Sequence, residues 1–315
     1  PATAARRTTG ASRHLGSDTM RAMPGMPPLV RALRPEQWLK NGFVLAPLVF
    51  AGRVGDLLAW GWALLAVAAF CAAASATYLV NDVLDREADR LHPVKRSRPV
   101  AAGLLSTAAA VVAAVLLVLL AVAAGWLLGG RFLLVLGGYV MLTLLYSSVL
   151  KTLVFVDVLV VAAGFVLRVT GGAMAVQVPV SRWLLLCAYL LALYLALGKR
   201  RAELVLLGEE AGNHRVVLGH YTLPLVDQAI SVVLGATVLA YTLYTVAPDT
   251  VAKVGSEGLM VTVPVVMYGL FRYLYVLHRH ELGGSPTRAL LTDRPLLACV
   301  AVWILVAAAV VGAGR

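Results

Sequence analysis

Long apolar runs separated by short polar segments fill most of the chain. They lie near 39–52, 57–80, 107–128, 132–150, 152–173, 182–198, 226–247, 259–277 and 295–312. An α-helix of about 20 apolar residues crosses the roughly 30 Å hydrocarbon core of a bilayer. The pattern therefore predicts an all-α polytopic membrane protein, a bundle of nine transmembrane helices with a short first member. The stretch 132–173 turns about Lys151 and Thr152. Residues 1 to about 28 are rich in Arg, Thr, Ser, Gly, Met and Pro and lack an apolar core, which predicts a disordered cytoplasmic arm. The remainder, 29–315, reads as a single transmembrane catalytic domain with cytoplasmic loops near 81–106 and 199–225.

Composition agrees with the pattern. At 315 residues, 60% hydrophobic and a mean hydropathy of +0.85, the chain is too apolar for a soluble domain. Its net charge of +11 would suit nucleic acid, but the basic residues fall in the segments between apolar runs. No nucleic-acid partner is expected. Lys and Arg accumulate in cytoplasmic loops of membrane proteins. With the N-terminus inside, 20 of the 27 Lys and Arg fall in inside segments and five outside, which supports a cytoplasmic N-terminus. Cys71, Cys187 and Cys299 each stand alone in apolar sequence, so neither a disulfide framework nor a zinc site is indicated. Phosphate-loop, nucleophile-elbow and zinc-protease motifs are absent.

The chemistry concentrates at the end of the second run, in Asn81-Asp82-Val83-Leu84-Asp85-Arg86-Glu87-Ala88-Asp89. On a helix Asp82, Asp85 and Asp89 (i, i+3, i+7) share a face, with Asn81 one turn before Asp85. Hard oxygen ligands of this kind suit Mg²⁺, which is held by few carboxylates together with substrate phosphates. His92-Pro93-Val94-Lys95-Arg96-Ser97-Arg98-Pro99 follows. Its prolines stop the helix and leave Lys95 and Arg98 to meet phosphate oxygens beside the acids. Lys199-Arg200-Arg201-Ala202-Glu203 closes the sixth run, and its three cations point in three directions on a helix. Tyr146, Lys151 and Asp157 surround the inside turn before it, while Arg34, Gln37, Trp38, Lys40 and Asn41 crowd the first run. Arg168 lies within an apolar run, about 16 Å from Asp157 along a straight helix. It is expected to pair across helices or to line a cavity.

These motifs resemble the UbiA superfamily of intramembrane prenyltransferases, from about Arg34 to the C-terminus. The N-D-x-x-D-x-x-x-D cluster and the H-P-x-K-x-x-R-P-x-x-x-G segment carry the likeness. The resemblance implies a nine-helix fold, Mg²⁺ (or Mn²⁺) and a diphosphate substrate at the cytoplasmic face of a bacterial plasma membrane. Typical members place a second Asp-rich motif where this chain has Lys199-Arg200-Arg201-Ala202-Glu203. That departure resembles a branch of the family that uses 5-phosphoribosyl 1-diphosphate (PRPP) as donor and a polyprenyl phosphate such as decaprenyl phosphate as acceptor. The branch acts early in making the arabinose donor of a mycobacterial-type cell wall.

The implied roles are Asp82, Asp85 and Asp89 as catalytic residues, which with Asn81 hold metal. Asn81, Lys95, Arg98, Tyr146, Lys199, Arg200, Arg201 and Glu203 bind PRPP. Arg34, Gln37, Lys40, Asn41, Lys151, Asp157 and Arg168 bind the lipid phosphate. Membrane lipids are the other partners, and the reading allows a homo-oligomer. Two alternatives stand beside it: an aromatic prenyltransferase using polyprenyl diphosphate, disfavoured by the missing acidic motif, and a transporter of phosphorylated solutes. A transporter would place functional charges near the bilayer midplane, whereas most charges here gather at one face.

Overall fold

The computed structural model describes residues 25–92, 95–208, 211–279, 289 and 292–313, the side chains of Asn213 and His214 excepted. Most of the predicted arm, residues 1–24, and Pro93 lie outside the described residues. All regular structure within them is helical. The long helices are α1 (Leu57–Leu84), α2 (Thr107–Leu128), α3 (Gly130–Ser148), α4 (Val156–Ala175), α5 (Arg182–Leu207), α6 (Leu223–Val246), α7 (Val263–Arg279) and α8 (Arg294–Ala313). All eight are long and apolar enough to cross a membrane, α7 together with the 3₁₀ turn Glu257–Thr262 before it. The outward face of α2 shows why. Val112, Val115, Leu116, Leu119 and Leu120 are exposed there, an arrangement stable only against lipid.

The first predicted span differs. Among the described residues it is a 3₁₀ helix, Pro35–Leu45, followed by the five-residue helix Ala46–Phe50, and not one spanning α-helix. Runs of 3₁₀ helix seldom exceed about four residues, so eleven in succession need outside support. Residues three apart align in such a helix, and Asn41 and Val44 are its buried ones. Asn41 is held by Arg168, and the backbone of Val44 rests against Gly172 of α4. A β-carbon at Gly172 would overlap the Val44 carbonyl oxygen, which cannot move without bending the 3₁₀ segment. Gly172→Ala is therefore expected to destabilise the protein by about 3 kcal/mol, measured as a lower thermal unfolding temperature in detergent.

Two predicted loops also begin as helix. The apolar residues Ala202, Leu204, Val205, Leu206 and Leu207 continue the pattern of the sixth run, so α5 carries Lys199–Glu203 on a regular turn. It ends only at Gly208, whose φ of 53° few other residues tolerate. After α1, the short helix Arg86–Leu91 extends the cluster of acids.

The chain forms two compact units. One takes the chain up to Trp38 together with Cys71–Ala121. Its core is Ala32, Leu79, Val100, Ala110 and Ala114. Trp38 Nε1 donates to Ser75 Oγ at 3.0 Å, and the Ser75 hydroxyl donates to the Leu33 carbonyl at 3.0 Å, which ties the N-terminal segment to α1. The other unit takes Leu39–Phe70 and the chain from Val122 onward. Its core joins α4, α5, α6 and α7 through Tyr194, Leu197, Val226, Ile230 and Tyr273, and includes Val217 and Leu218 from the α5–α6 connection. That connection is thus a packed part of the fold.

Candidate functional site

Two clusters of buried charge stand out, one in each unit. In the first, α1 ends at Leu84 and Asp85 forms a turn before Arg86–Leu91. The i→i+4 backbone bonds nevertheless persist, Asp85 N–H to Asn81 O at 2.9 Å and Asp89 N–H to Asp85 O at 2.8 Å. Asn81, Asp85 and Asp89 therefore stand one turn apart in a stripe. Asp82, seven residues before Asp89, shares Arg98 with it. Only 1% exposed, Asp82 accepts hydrogen bonds at Oδ1 from Arg34 Nη2 (2.6 Å) and Arg98 Nη1 (3.1 Å). Arg98 Nη1 also donates to Asp89 Oδ2 at 2.7 Å, and Lys95 Nζ lies 3.9 Å from Asp89 Oδ1.

Arg34 reaches Asp82 from a left-handed backbone conformation, φ 56°, stacked on Tyr78 at 4.8 Å. A non-glycine residue held there marks a position that the surroundings over-determine. Of the three acids expected to share a face, Asp82 and Asp89 are held together by Arg98 and Asp85 stands apart. Asp82 and Asp89 are buried around the arginines, whereas Asp85 is exposed. No three His, Cys, Asp or Glu converge as a ligating group among the described residues. The stripe offers two carboxylates and the Asn81 amide, a hard-oxygen set that fits Mg²⁺ completed by substrate phosphates. Asp82 Oδ2 is buried and has no hydrogen-bond partner among the described residues.

The second cluster is built on Arg200 of α5, 3% exposed. Its Nε donates to Asp157 Oδ2 at 2.6 Å, its Nη1 to Glu203 Oε2 at 2.6 Å, and its Nη2 to the Tyr146 hydroxyl at 3.4 Å. Asp157 is fully buried and also accepts the Tyr221 hydroxyl at Oδ1, 2.7 Å. The same hydroxyl accepts the amide of Phe155, which has a φ of 62° and an edge-to-face contact with the Tyr221 ring. Burial raises the Tyr221 phenol above its ordinary range, and the bond to Asp157 raises it further, so it remains a donor. Arg215 joins from the α5–α6 connection, with Nη1 3.2 Å from the Tyr146 hydroxyl and 4.0 Å from Asp157 Oδ2. Lys199 Nζ lies 3.9 Å from Glu203 Oε1.

Several expected members are elsewhere. Arg201 turns away from Arg200 and donates to Asp227 Oδ1 at 2.6 Å and to the Leu277 carbonyl. Arg168, 6% exposed, does pair across helices, but every partner is neutral: Asn41 Oδ1 (2.7 Å), the Gly164 carbonyl (3.1 Å) and the Tyr139 hydroxyl (2.9 Å). Its guanidinium also covers the rings of Tyr139 and Phe165. Arg168 and Asn41 thus bind each other inside the protein. Of the residues expected at a lipid phosphate, Arg34 belongs with Asp82 and Asp157 with Arg200, while Lys151 sits on the 3₁₀ turn Leu150–Thr152. Gln37 lies in the unit that holds Asp82, and Lys40 in the unit that holds Arg200. Sequence reasoning missed Arg215, Tyr221 and Tyr139. Arg215 registered only as one more inside charge, and neither tyrosine stood in a motif.

Fold and clusters define a multi-pass helical membrane protein that gathers buried arginines and carboxylates into two paired clusters. The model of the UbiA prenyltransferase family matches residues 42–292, and the chain belongs to that family. Curated relatives include the decaprenyl-phosphate phosphoribosyltransferase of Mycobacterium tuberculosis, 34% identical over 91% of this chain and 95% of that protein. The decaprenyl-phosphate phosphoribosyltransferase of Mycolicibacterium smegmatis is 32% identical over 88% of this chain and 90% of that one. Among solved structures, a UbiA homologue from Archaeoglobus fulgidus bound to GPP and Mg²⁺ superposes with a TM-score of 0.67 at 20% identity. That match covers 90% of this chain and 99% of the homologue.

Proposed function

We propose that this enzyme transfers the 5-phosphoribosyl group of PRPP to decaprenyl phosphate, or a similar polyprenyl phosphate, at the cytoplasmic face of a bacterial plasma membrane. The product would feed an arabinose donor for the cell wall. The observation that carries the reading is the second cluster. Three cations, Lys199, Arg200 and Arg215, stand there with two carboxylates, Asp157 and Glu203. An excess of positive charge suits a phosphate better than a second metal ion. The relatives' names carry a phosphoribosyl group as what is transferred and decaprenyl phosphate as what receives it.

In this reading Asn81, Asp85 and Asp89 hold Mg²⁺, which would neutralise charge on the departing diphosphate. Asp82 fixes Arg34 and Arg98, so that two guanidiniums are oriented beside the acids before substrate arrives. The bond from the ribose anomeric carbon to the diphosphate oxygen breaks, and its electron pair leaves with the diphosphate. An oxygen of the lipid phosphate forms the new bond to that carbon from the opposite side, inverting it from α to β. The acceptor is already an anion, so no residue need remove a proton. In this reading Lys151 and Lys40 attract the lipid phosphate.

The test incubates the purified protein with Mg²⁺, labelled PRPP and decaprenyl phosphate, and follows label into the organic phase. Transfer that needs all three components is expected. If label stays in water while polyprenyl diphosphate prenylates an aromatic acceptor, the reading is replaced by the prenyltransferase alternative.

A further inference from the structure

Arg200 is one of the cations that the sequence brings forward for phosphate binding, yet its guanidinium is already committed. It is 3% exposed, and Nε, Nη1 and Nη2 are bonded to Asp157, Glu203 and Tyr146. Both carboxylates of the cluster are in turn directed at it. This leaves Lys199 and Arg215 near acids, at 3.9 and 4.0 Å, without a hydrogen bond to either one. Their side chains are 46% and 29% exposed, so a ligand can reach them. Among the described residues nothing accepts from Arg215 Nε or Nη2. The Tyr146 hydroxyl accepts from Arg200 and Arg215, and no described residue takes its own hydrogen. Arg215 is also held firmly, because Ala211, Val217, Leu218 and Tyr221 on either side of it are buried in the core.

We propose that Arg215, with Lys199 and the Tyr146 hydroxyl, binds a phosphate monoester, and that Arg200 positions Tyr146 without touching the ligand. The inference rests on the phosphoribosyl-transfer reading for its two sources of phosphate, the ribose 5-phosphate of the donor and the headgroup of the acceptor. A guanidinium offers two parallel N–H donors to a phosphate, which a lysine cannot reproduce. Among the described residues the cluster carries one more cation than carboxylates, which supplies the attraction, and the phenol supplies a further donor.

The experiment titrates the full chain in detergent with ribose 5-phosphate and, separately, with farnesyl phosphate, following thermal unfolding. For wild type, at least one ligand is expected to raise the unfolding temperature. For Arg215→Gln its apparent Kd should rise about ten- to a hundredfold, with Arg215→Lys intermediate. Loss of the ribose 5-phosphate response assigns the site to the donor, and loss of the farnesyl phosphate response assigns it to the acceptor. Undiminished affinity in Arg215→Gln, or no response to either ligand in wild type, overturns the proposal. If Arg215→Gln does not fold, Arg215→Lys and Tyr146→Phe decide, and wild-type affinity in both overturns it. Binding that depends on Arg215 in a protein that fails to transfer from PRPP would overturn the transfer reading and leave this site standing.

Discussion

Asp85→Asn is expected to lower the rate of transfer by about a thousandfold and to leave the unfolding temperature of the protein unchanged. Asp85 is exposed and makes no ion pair with any described residue, so the fold does not depend on its charge. In the proposed reaction it is an accessible carboxylate of the Asn81, Asp85, Asp89 stripe. Loss of a metal ligand removes several kcal/mol of charge stabilisation from the transition state, and about 1.4 kcal/mol corresponds to each tenfold in rate. Asp82→Asn should behave differently. It leaves Arg34 and Arg98 in place with their shared carboxylate gone, so stability should fall along with the rate. Transfer rates and melting curves for the two variants check the division of roles. Equal loss of stability in both would show that Asp85 is as deeply built into the fold as Asp82.

That division was not legible in the sequence, although the cluster was. Helical spacing groups Asp82, Asp85 and Asp89, because all three lie within one turn's width of a common face. What sets Asp82 apart from Asp85 is Arg34, 48 residues away, which binds Asp82 from a strained backbone. The apolar runs were legible because lipid requires each crossing segment to satisfy its own backbone hydrogen bonds, which leaves a long apolar helix as the local solution. The first run escaped this logic. Its 3₁₀ form depends on Arg168, 127 residues from Asn41, and on the bare backbone of Gly172, and no local pattern announces either. The resemblance to the family supplied the chemistry of the acids. It could not show that Arg200 is enclosed and Arg215 is not, since that depends on how the α5–α6 connection packs.

The second large effect is expected at Asp157. Asp157→Ala should lower stability by about 3–5 kcal/mol, because it leaves Arg200 buried with one of its two carboxylates missing and Tyr221 without an acceptor. Activity should fall with it, since Tyr146 and Arg215 are oriented through the same network. A double change separates pairing from packing. Removing one member of a buried ion pair exposes the unmet desolvation of the other, whereas removing both removes that penalty. Asp157→Asn combined with Arg200→Gln should therefore lose markedly less stability than the sum of the Asp157→Asn and Arg200→Gln losses, while transfer remains low in all three. Melting temperatures of the singles and the double, measured in the same detergent, give the coupling directly. Strict additivity would mean that Arg200 does not depend on Asp157 for its charge, and that Glu203 alone holds it in place.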